Sequence, residues 1–454
     1  MKKLSTEFAF ALVLALAGVA EVASAQDRTV IRQLGPVMAR TAQPVNVSGI
    51  RPIANGVLVN DPRGRRVVLF DNQLASFTVV ADSTDATGNA YSGRFGGLIA
   101  YRGDSSLFVD PTSLSMLVVD PSGKIARVMS VPRSQDAMML SGAMGAAAYD
   151  GKGGLVYRGA FRPQFRGGPP TGGSFTPPQF PDSAPILRID LATRGLDTLG
   201  YIRIPKVKMD VSRSDDGRVS MRSQLNPLPV IDEWAALPDG TIAFVRGRDY
   251  HIDWLGPDGT TTTTAKVPFD WQRLTDDDKV AFLDSLKAAR ERMGEGAPGV
   301  AMLGAALGAS EAMVGAVSPN IQIMTGPGGG GGGGGGGAVR QRGGQPGAAG
   351  GAGAGGRMNA EVNFVDPSEL PDYKPAFFAG SVRVDAEGNL WIRTIPTKAV
   401  AGGPVYDVID RSGALAERVQ VPEGRTIVGF GPGGVVYLVA REGNDSYLEK
   451  ASIR

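Results

Sequence analysis

The sequence VDAEGNLWI at residues 384–392 combines a tight turn with a β-rich run. Residues 386–389 suit a hairpin turn, because Gly and Asn accept the positive φ that such turns need. Residues 390–392 then supply aromatic and branched side chains that are typical of strands. The same pattern recurs at intervals along the chain, so this stretch is one copy of an internal repeat.

Six copies of this pattern are visible in the sequence. Their first turns are rich in Gly, Asn and Asp, and a β-forming run follows each of them. These turns lie at residues 54–56, 103–105, 151–154, 238–240, 386–389 and 431–434. Five copies have a second turn, at residues 71–73, 121–123, 192–195, 257–259 and 411–413. Each copy therefore predicts a four-stranded meander, and only the last copy lacks a fourth strand.

The run TVIRQL at residues 29–34 precedes the first copy and is predicted to supply the missing strand. Pairing it with the last meander would close a ring and remove two exposed sheet edges. The predicted fold is all-β: a six-bladed β-propeller closed by an N-terminal strand, with one long, partly helical and disordered insertion. A β-sandwich or two smaller β domains is the structural alternative, and six regular copies favour the ring.

With these repeats, the chain resembles the exported bacterial six-bladed β-propellers of the NHL-repeat and TolB-like type, with residues 384–392 as the closest single match. The resemblance covers most of the chain after residue 25. It implies a fold and no single activity, because propellers host unrelated chemistries and pure binding roles. The amidating lyases among NHL-type propellers rely on a histidine-bound metal, which a single His cannot provide. No clear counterpart of the gluconolactonase Glu/Asn/Asp metal set is visible, and we predict no metal and no cofactor.

Composition excludes several classes of protein. The 454 residues include one His and no Cys. This rules out disulfides, thiolate nucleophiles, iron–sulfur clusters and multi-histidine metal centres. Lys and Arg number 47 against 45 Asp and Glu, a balance that argues against a nucleic-acid binder relying on phosphate neutralisation.

The N-terminus is typical of a secretory signal peptide. Lys2 and Lys3 precede an apolar run at residues 8–20, and Ala23-Ser24-Ala25 fits the small-residue cleavage site. As a helix, the run would span roughly 20 Å, less than the hydrocarbon core of a bilayer. A retained anchor is the alternative. We predict cleavage after Ala25 and a periplasmic or secreted, monomeric ring without a transmembrane segment.

The repeats also divide the chain into regions. Residues 26–268 are predicted to form blades one to four, and residues 379–454 blades five and six. Residues 269–378 form an insertion with a helix over 275–293, since Thr275 followed by Asp278 is typical of a helix start. Residues 326–356 are almost all Gly and Ala, a composition that predicts disorder.

All the long connections lie on one face of the predicted ring, and the opposite face carries only tight turns. The long connections include residues 162–184, 206–232 and 269–378. Elaborated loops over a rigid scaffold are where binding usually resides. The leading hypothesis is therefore a non-catalytic binding or scaffold propeller, whose loop-rich face contacts a protein, peptide or glycan partner in the cell envelope.

Second strands deliver arginines towards this loop-rich face. Guanidinium groups bind carboxylate, phosphate or sulfate through paired hydrogen bonds. The alternative is that each arginine pairs with a neighbouring carboxylate, because such surface pairs are common. The candidate ligand-binding residues are Arg158, Arg246, Arg248, Arg393 and Arg441.

Asp249 and His251, with nearby Arg246, form a second candidate site. A carboxylate and an imidazole at a strand junction on the loop-rich face could serve acid/base chemistry. The alternative function is thus a hydrolase or lyase acting at the channel mouth. A lone His entering a strand is more often a structural hydrogen-bonding residue, so catalysis is the minority interpretation.

Overall fold

The computed structural model describes residues 30–84, 91–93, 95–142, 145–160, 180–206, 208–213, 219–293, 363–397 and 401–454. The predicted signal peptide, the Gly/Ala-rich tract and most of the 162–184 loop lie outside the described residues. In the part of the chain that is described, no helix is long and apolar enough to cross a membrane.

Six sheets form the blades of a propeller, which confirms the predicted fold class. Blades one to three comprise β3 (Gly49–Ile53), β4 (Gly56–Asp61), β5 (Arg66–Phe70) and β6 (Phe77–Asp82); β7 (Gly97–Ala100), β8 (Ser106–Asp110), β9 (Ser115–Val119) and β10 (Ile125–Ser130); and β11 (Ala147–Tyr149), β12 (Gly154–Arg158), β13 (Ser183–Asp190) and β14 (Leu196–Arg203). Blades four to six comprise β17 (Glu233–Ala236), β18 (Ile242–Arg246), β19 (His251–Leu255) and β20 (Thr261–Thr263); β22 (Phe377–Val384), β23 (Leu390–Thr394), β24 (Val405–Ile409) and β25 (Leu415–Gln420); and β26 (Arg425–Gly431), β27 (Val435–Glu442) and β28 (Asp445–Ser452).

The N-terminal segment closes the ring, but with a later strand than predicted. The strand that completes blade six is β2 (Val37–Arg40), which pairs antiparallel with β28. The predicted run instead yields β1 (Ile31–Gln33), which adds a parallel fifth strand to β25 of blade five. Arg32 fixes this position, because its Nε and Nη2 atoms donate to the two carboxylate oxygens of Glu417 at 2.8 and 2.9 Å. The segment therefore joins two blades.

An aspartate at the start of the turn stabilises the turn in residues 384–392. In residues 384–392, Asp385 Oδ1 accepts the backbone N–H groups of Glu387 and Asn389 at 3.1 and 2.8 Å. Its Oδ2 accepts the indole N–H of Trp391 at 3.0 Å. Gly388 has φ +87°, which side-chain-bearing residues rarely adopt. The turn is thus held by side-chain hydrogen bonds as well as by the strand ladder.

The core lies between blades, and their second strands are its most buried elements. Every residue of β4 and β8 is buried. Buried carboxylates are paired with arginines of the same blade, which satisfies charges that would otherwise be costly inside the protein. These pairs are Asp61–Arg66 at 2.9 Å, Asp150–Arg188 at 2.6 Å, Asp407–Arg418 at 3.0 Å and Glu449–Arg425 at 2.6 Å.

Several elements lie outside the blades. A hairpin of β15 (Lys208–Arg213) and β16 (Val219–Leu225) occupies a stretch predicted as a loop, and β21 (Asn363–Phe364) pairs with it. The helices are α1 (Ala137–Leu140) and α2 (Asp276–Met293), and 3₁₀ turns cover Ser134–Asp136 and Pro367–Glu369. At the start of α2, Thr275 Oγ1 accepts the Asp278 backbone N–H at 3.2 Å and donates to Asp278 Oδ2 at 2.8 Å. Leu283 of α2 packs on Val365 and Leu370.

Candidate functional site

The innermost strands β3, β7, β11, β17, β22 and β26 surround a central channel with two unlike ends. Each of these strands starts at the loop-rich end and runs to a tight turn at the other end. Glu233 is the first residue of β17 and so lies at the loop-rich end. It is the centre of a charged cluster that involves three blades.

Glu233 is half-buried, and a neighbouring blade holds its carboxylate. Its Oε1 accepts the backbone N–H of Gly380 at 2.9 Å. Gly380 has φ +73° and lies in an irregularity of β22 between Phe377 and Val382, the kind of bulge that re-aims backbone groups next to functional sites. Burial raises the pKa of Glu233 to about 7, against the opposing effects of the Gly380 N–H, Arg158 and Arg383. A carboxyl with this pKa changes protonation near neutral pH.

Arg158 ends β12 of blade three and interacts electrostatically with Glu233. Burial lowers the pKa of Arg158, and the attraction of Glu233 opposes that shift. No described residue accepts a hydrogen bond from this guanidinium, and its Nε atom is buried without a partner. Since a guanidinium carries five N–H donors that are normally satisfied when desolvated, Arg158 retains unused capacity to bind an anion.

Two more arginines extend the positive charge around the channel. Arg383 Nη1 donates to the backbone oxygens of Gly380 and Val382 at 2.9 and 2.8 Å. Arg383 and Arg393 both interact electrostatically with the buried Tyr406. Burial raises the pKa of Tyr406, and the two arginines oppose this shift. Burial also lowers the pKa of Arg393. We call Glu233, Arg158, Arg383 and Gly380 the Glu233 cluster. It contains two guanidinium groups and one carboxylate, so its positive charges outnumber its negative charge.

The other predicted arginines lie outside this cluster. Arg246 Nε donates to Asp253 Oδ2 at 2.7 Å, and its Nη1 donates to Asp232 Oδ2 at 3.0 Å. Arg248 and Arg441 are exposed. The structure therefore places Arg158 beside Glu233 and Arg393 beside Tyr406, and it gives Arg246 two local carboxylate partners.

Asp249 and His251 lie farther out in blade four, with His251 on its third strand, β19. His251 Nδ1 is 2.8 Å from Asp249 Oδ1, and its Nε2 is 3.4 Å from Asp253 Oδ1. Asp253 is shared, because it also binds Arg246 and accepts a hydrogen bond from Thr263 Oγ1 at 2.7 Å. The imidazole is thus held between two carboxylates, away from the innermost strands.

Glu233 and Arg383 were not among the residues predicted from the sequence. The available signals are a charged residue opening the strand EWAA at residues 233–236 and a glycine inside the strand FFAGSVRV at residues 377–384. Glycine inside a strand often marks a bulge or a close backbone approach. Within the described residues, no group of three or more His, Asp or Glu side chains could hold a metal ion.

The fold and site together define a six-bladed propeller with a carboxylate–guanidinium cluster at the loop-rich end of its channel. No protein-family model matches the sequence, and no curated protein is significantly similar to it.

Solved structures are similar to this chain along nearly its whole length. They include a putative gluconolactonase, 11% identical, with a TM-score of 0.37 and coverage of 92% of this chain and 94% of that one. Regucalcin, a calcium-binding protein from Agrobacterium tumefaciens, is 12% identical, with a TM-score of 0.31 and coverage of 94% and 97%. A member of the DUF4221 family from Bacteroides vulgatus is 7% identical, with a TM-score of 0.37 and coverage of 93% and 95%. Similarities of this size carry no information about activity.

Proposed function

We propose that the loop-rich end of the channel binds an anionic group of a ligand, with Arg158 as its main contact. The observation that carries this proposal is the half-buried Arg158 guanidinium, for which no described residue accepts a hydrogen bond. Removing a charged group from water without a partner is costly. A bound carboxylate, phosphate or sulfate offsets that cost through paired hydrogen bonds to the guanidinium.

Charge in the Glu233 cluster also favours an anion. Within the described residues, Arg383 donates only to backbone oxygens, so no described carboxylate neutralises its charge through a hydrogen bond. Glu233 interacts electrostatically with both arginines, and its raised pKa of about 7 means that it is partly neutral at neutral pH. We infer a positive field at this end of the channel, which attracts anions.

We further propose that a protein, peptide or glycan partner in the cell envelope carries the anionic group, as an acidic side chain, a terminal carboxylate or a sugar acid. This part rests on the long connections of the loop-rich face and on the predicted signal peptide. Export is tested by N-terminal sequencing of the protein recovered from a periplasmic fraction. A mature chain that starts at Gln26 supports export, and an intact N-terminus in the cytoplasmic fraction contradicts it.

Calorimetric titration with acetate, phosphate and sulfate tests anion binding. Arg158→Gln should abolish saturable binding of the preferred anion. Arg248→Gln is the matched control, because Arg248 is exposed on the same face, and it should bind as the wild type does. Equal binding by wild type and Arg158→Gln would contradict the proposal.

The raised pKa of Glu233 favours a second candidate, in which the bound group is also the substrate of a hydrolase or lyase and Glu233 transfers a proton. A pKa near the working pH is the optimum for general acid/base catalysis. In an activity screen, Glu233→Gln should abolish turnover, whereas His251→Ala should leave it unchanged. Loss of turnover in His251→Ala alone would instead support a mechanism built on Asp249 and His251.

A further inference from the structure

The tight-turn end of the channel contains a separate cavity with a volume of about 1080 Å³. Its walls are the innermost strands of all six blades, and the first turns of the repeats, such as Ala54, Gly103, Gly151 and Pro432, form its rim. The volume is comparable to that of pockets that hold small organic molecules. None of the residues of the Glu233 cluster lines this cavity.

Within the described residues, two cations of this cavity donate hydrogen bonds to neutral oxygens only. Arg51 Nη1 donates to the Pro52 carbonyl at 2.6 Å and Nη2 to the Gly103 carbonyl at 3.4 Å. Its nearest carboxylate oxygen, on Asp104, is 4.0 Å from Nη2. The Arg51 Nε atom is buried without a partner, and burial lowers the pKa of this arginine. Lys450 Nζ donates to the Asn72 carbonyl at 3.1 Å.

Arg102 is a third cation of the lining, and it is exposed. Its Nε donates to the Tyr149 hydroxyl at 3.2 Å, and its guanidinium carbon lies 5.6 Å from the centre of the Tyr101 ring. The two tyrosine rings contact each other edge to face, with their centres 4.9 Å apart. This packing holds Arg102 at the rim, while no described residue accepts hydrogen bonds from its two Nη atoms.

The carboxylates of the lining compensate only part of this charge. Asp104 Oδ2 accepts the Ala54 backbone N–H at 3.0 Å. Asp385 is 5% exposed and uses both oxygens within its own turn and on Trp391. Arg51, Arg102 and Lys450 belong to blades one, two and six, which are consecutive around the closed ring. Positive charge therefore predominates along one arc of the cavity.

We propose that this cavity binds a small organic anion with two or more carboxylate groups, which interact with Arg51, Arg102 and Lys450. The three cations come from different blades, so a di- or tricarboxylate can contact several of them, whereas a single inorganic anion engages fewer. The two Nη atoms of Arg102 carry four N–H groups without a described acceptor, in the planar geometry that matches a carboxylate. The proposal does not depend on the anion site at the loop-rich end, because the two sites share no residue.

Calorimetric titration of the full chain with citrate, at about 0.15 M salt to screen weak surface attraction, tests this proposal. The titrations are made in an Arg158→Gln background, so that the other end of the channel does not contribute. Arg102→Gln should raise the Kd for citrate about tenfold, because one charge-assisted hydrogen bond is lost. Arg411→Gln, on the same face and paired with Asp239, should leave the Kd unchanged.

Arg51→Gln should weaken citrate binding by at least the same factor. Should Arg51→Gln fail to fold, Lys450→Gln provides a second variant of the lining, which should also raise the Kd for citrate. Equal affinity of Arg102→Gln and Arg411→Gln for citrate would overturn the proposal, as would the absence of saturable citrate binding. Binding of sulfate as tight as that of citrate would also overturn it, because it would show attraction by charge alone.

Discussion

Turn aspartates on the tight-turn face and Glu233 at the loop-rich end of the channel have pKa values that are shifted in opposite directions. On the tight-turn face, five turn aspartates have lowered pKa values, because hydrogen bonds from serine or threonine residues stabilise the ionised form; these are Asp71, Asp120, Asp190, Asp258 and Asp410. At the loop-rich end, burial raises the pKa of Glu233 to about 7. Donors dominate in the first case and desolvation in the second. The comparison distinguishes aspartates that stabilise turns in their ionised form from Glu233, which is able to change protonation near neutral pH.

Removing a turn aspartate whose partners are buried should have the largest effect. In Asp385→Ala, the indole N–H of Trp391 loses its acceptor while the side chain remains 1% exposed. We expect the free energy of unfolding to fall by about 3 kcal/mol, measured by urea denaturation. Asp258→Ala is the control, because its partner Thr260 is exposed and water replaces the lost hydrogen bonds. If the free energy of unfolding fell by as much in Asp258→Ala as in Asp385→Ala, burial of the partner would not determine the effect, which contradicts this prediction.

Glu233 should make the stability of the protein depend on pH in the direction opposite to that of the turn aspartates. Because burial raises its pKa above the ordinary value of 4.5 to about 7, the folded state binds more protons than the unfolded state between these values. Stability should therefore decrease as the pH rises from about 4.5 to about 7. The urea midpoint of Glu233→Gln minus that of the wild type should therefore increase over this range, because only the wild type loses this stability. A constant difference would mean that the Glu233 pKa is not raised.

A smaller effect is expected from replacing Arg158. In the ligand-free protein, Arg158→Met exchanges a half-buried guanidinium that has no acceptor among the described residues for an apolar side chain, so the free energy of unfolding should rise by about 1 kcal/mol. Differential scanning calorimetry without anions measures this change. A lower melting temperature of Arg158→Met than of the wild type would indicate that Arg158 stabilises the fold and is not an unsatisfied ligand-binding group.

The repeat made the fold predictable, because Gly, Asn and Asp at fixed turn positions reveal each blade without knowledge of long-range contacts. The prediction of the closing strand was wrong, because residues 29–34 and Val37–Arg40 are both short β-like runs. The contact that places the first run on blade five, between Arg32 and Glu417, joins residues 385 positions apart, so the sequence does not reveal it. Arg158 was predicted from its place at the end of a second strand. Glu233 was not, because its chemistry depends on burial and on a backbone N–H that lies 147 residues away in another blade.

Proton uptake on anion binding tests the central claim most directly, since an anion beside Arg158 should favour the protonated form of Glu233. Calorimetric titrations with the preferred anion at pH 7, in two buffers of different ionisation enthalpy, measure that uptake. We predict that a fraction of a proton is taken up by the wild type and none by Glu233→Gln, and that Arg158→Gln no longer binds. Anion binding without proton uptake, at the same affinity in the wild type and in Arg158→Gln, would contradict the account.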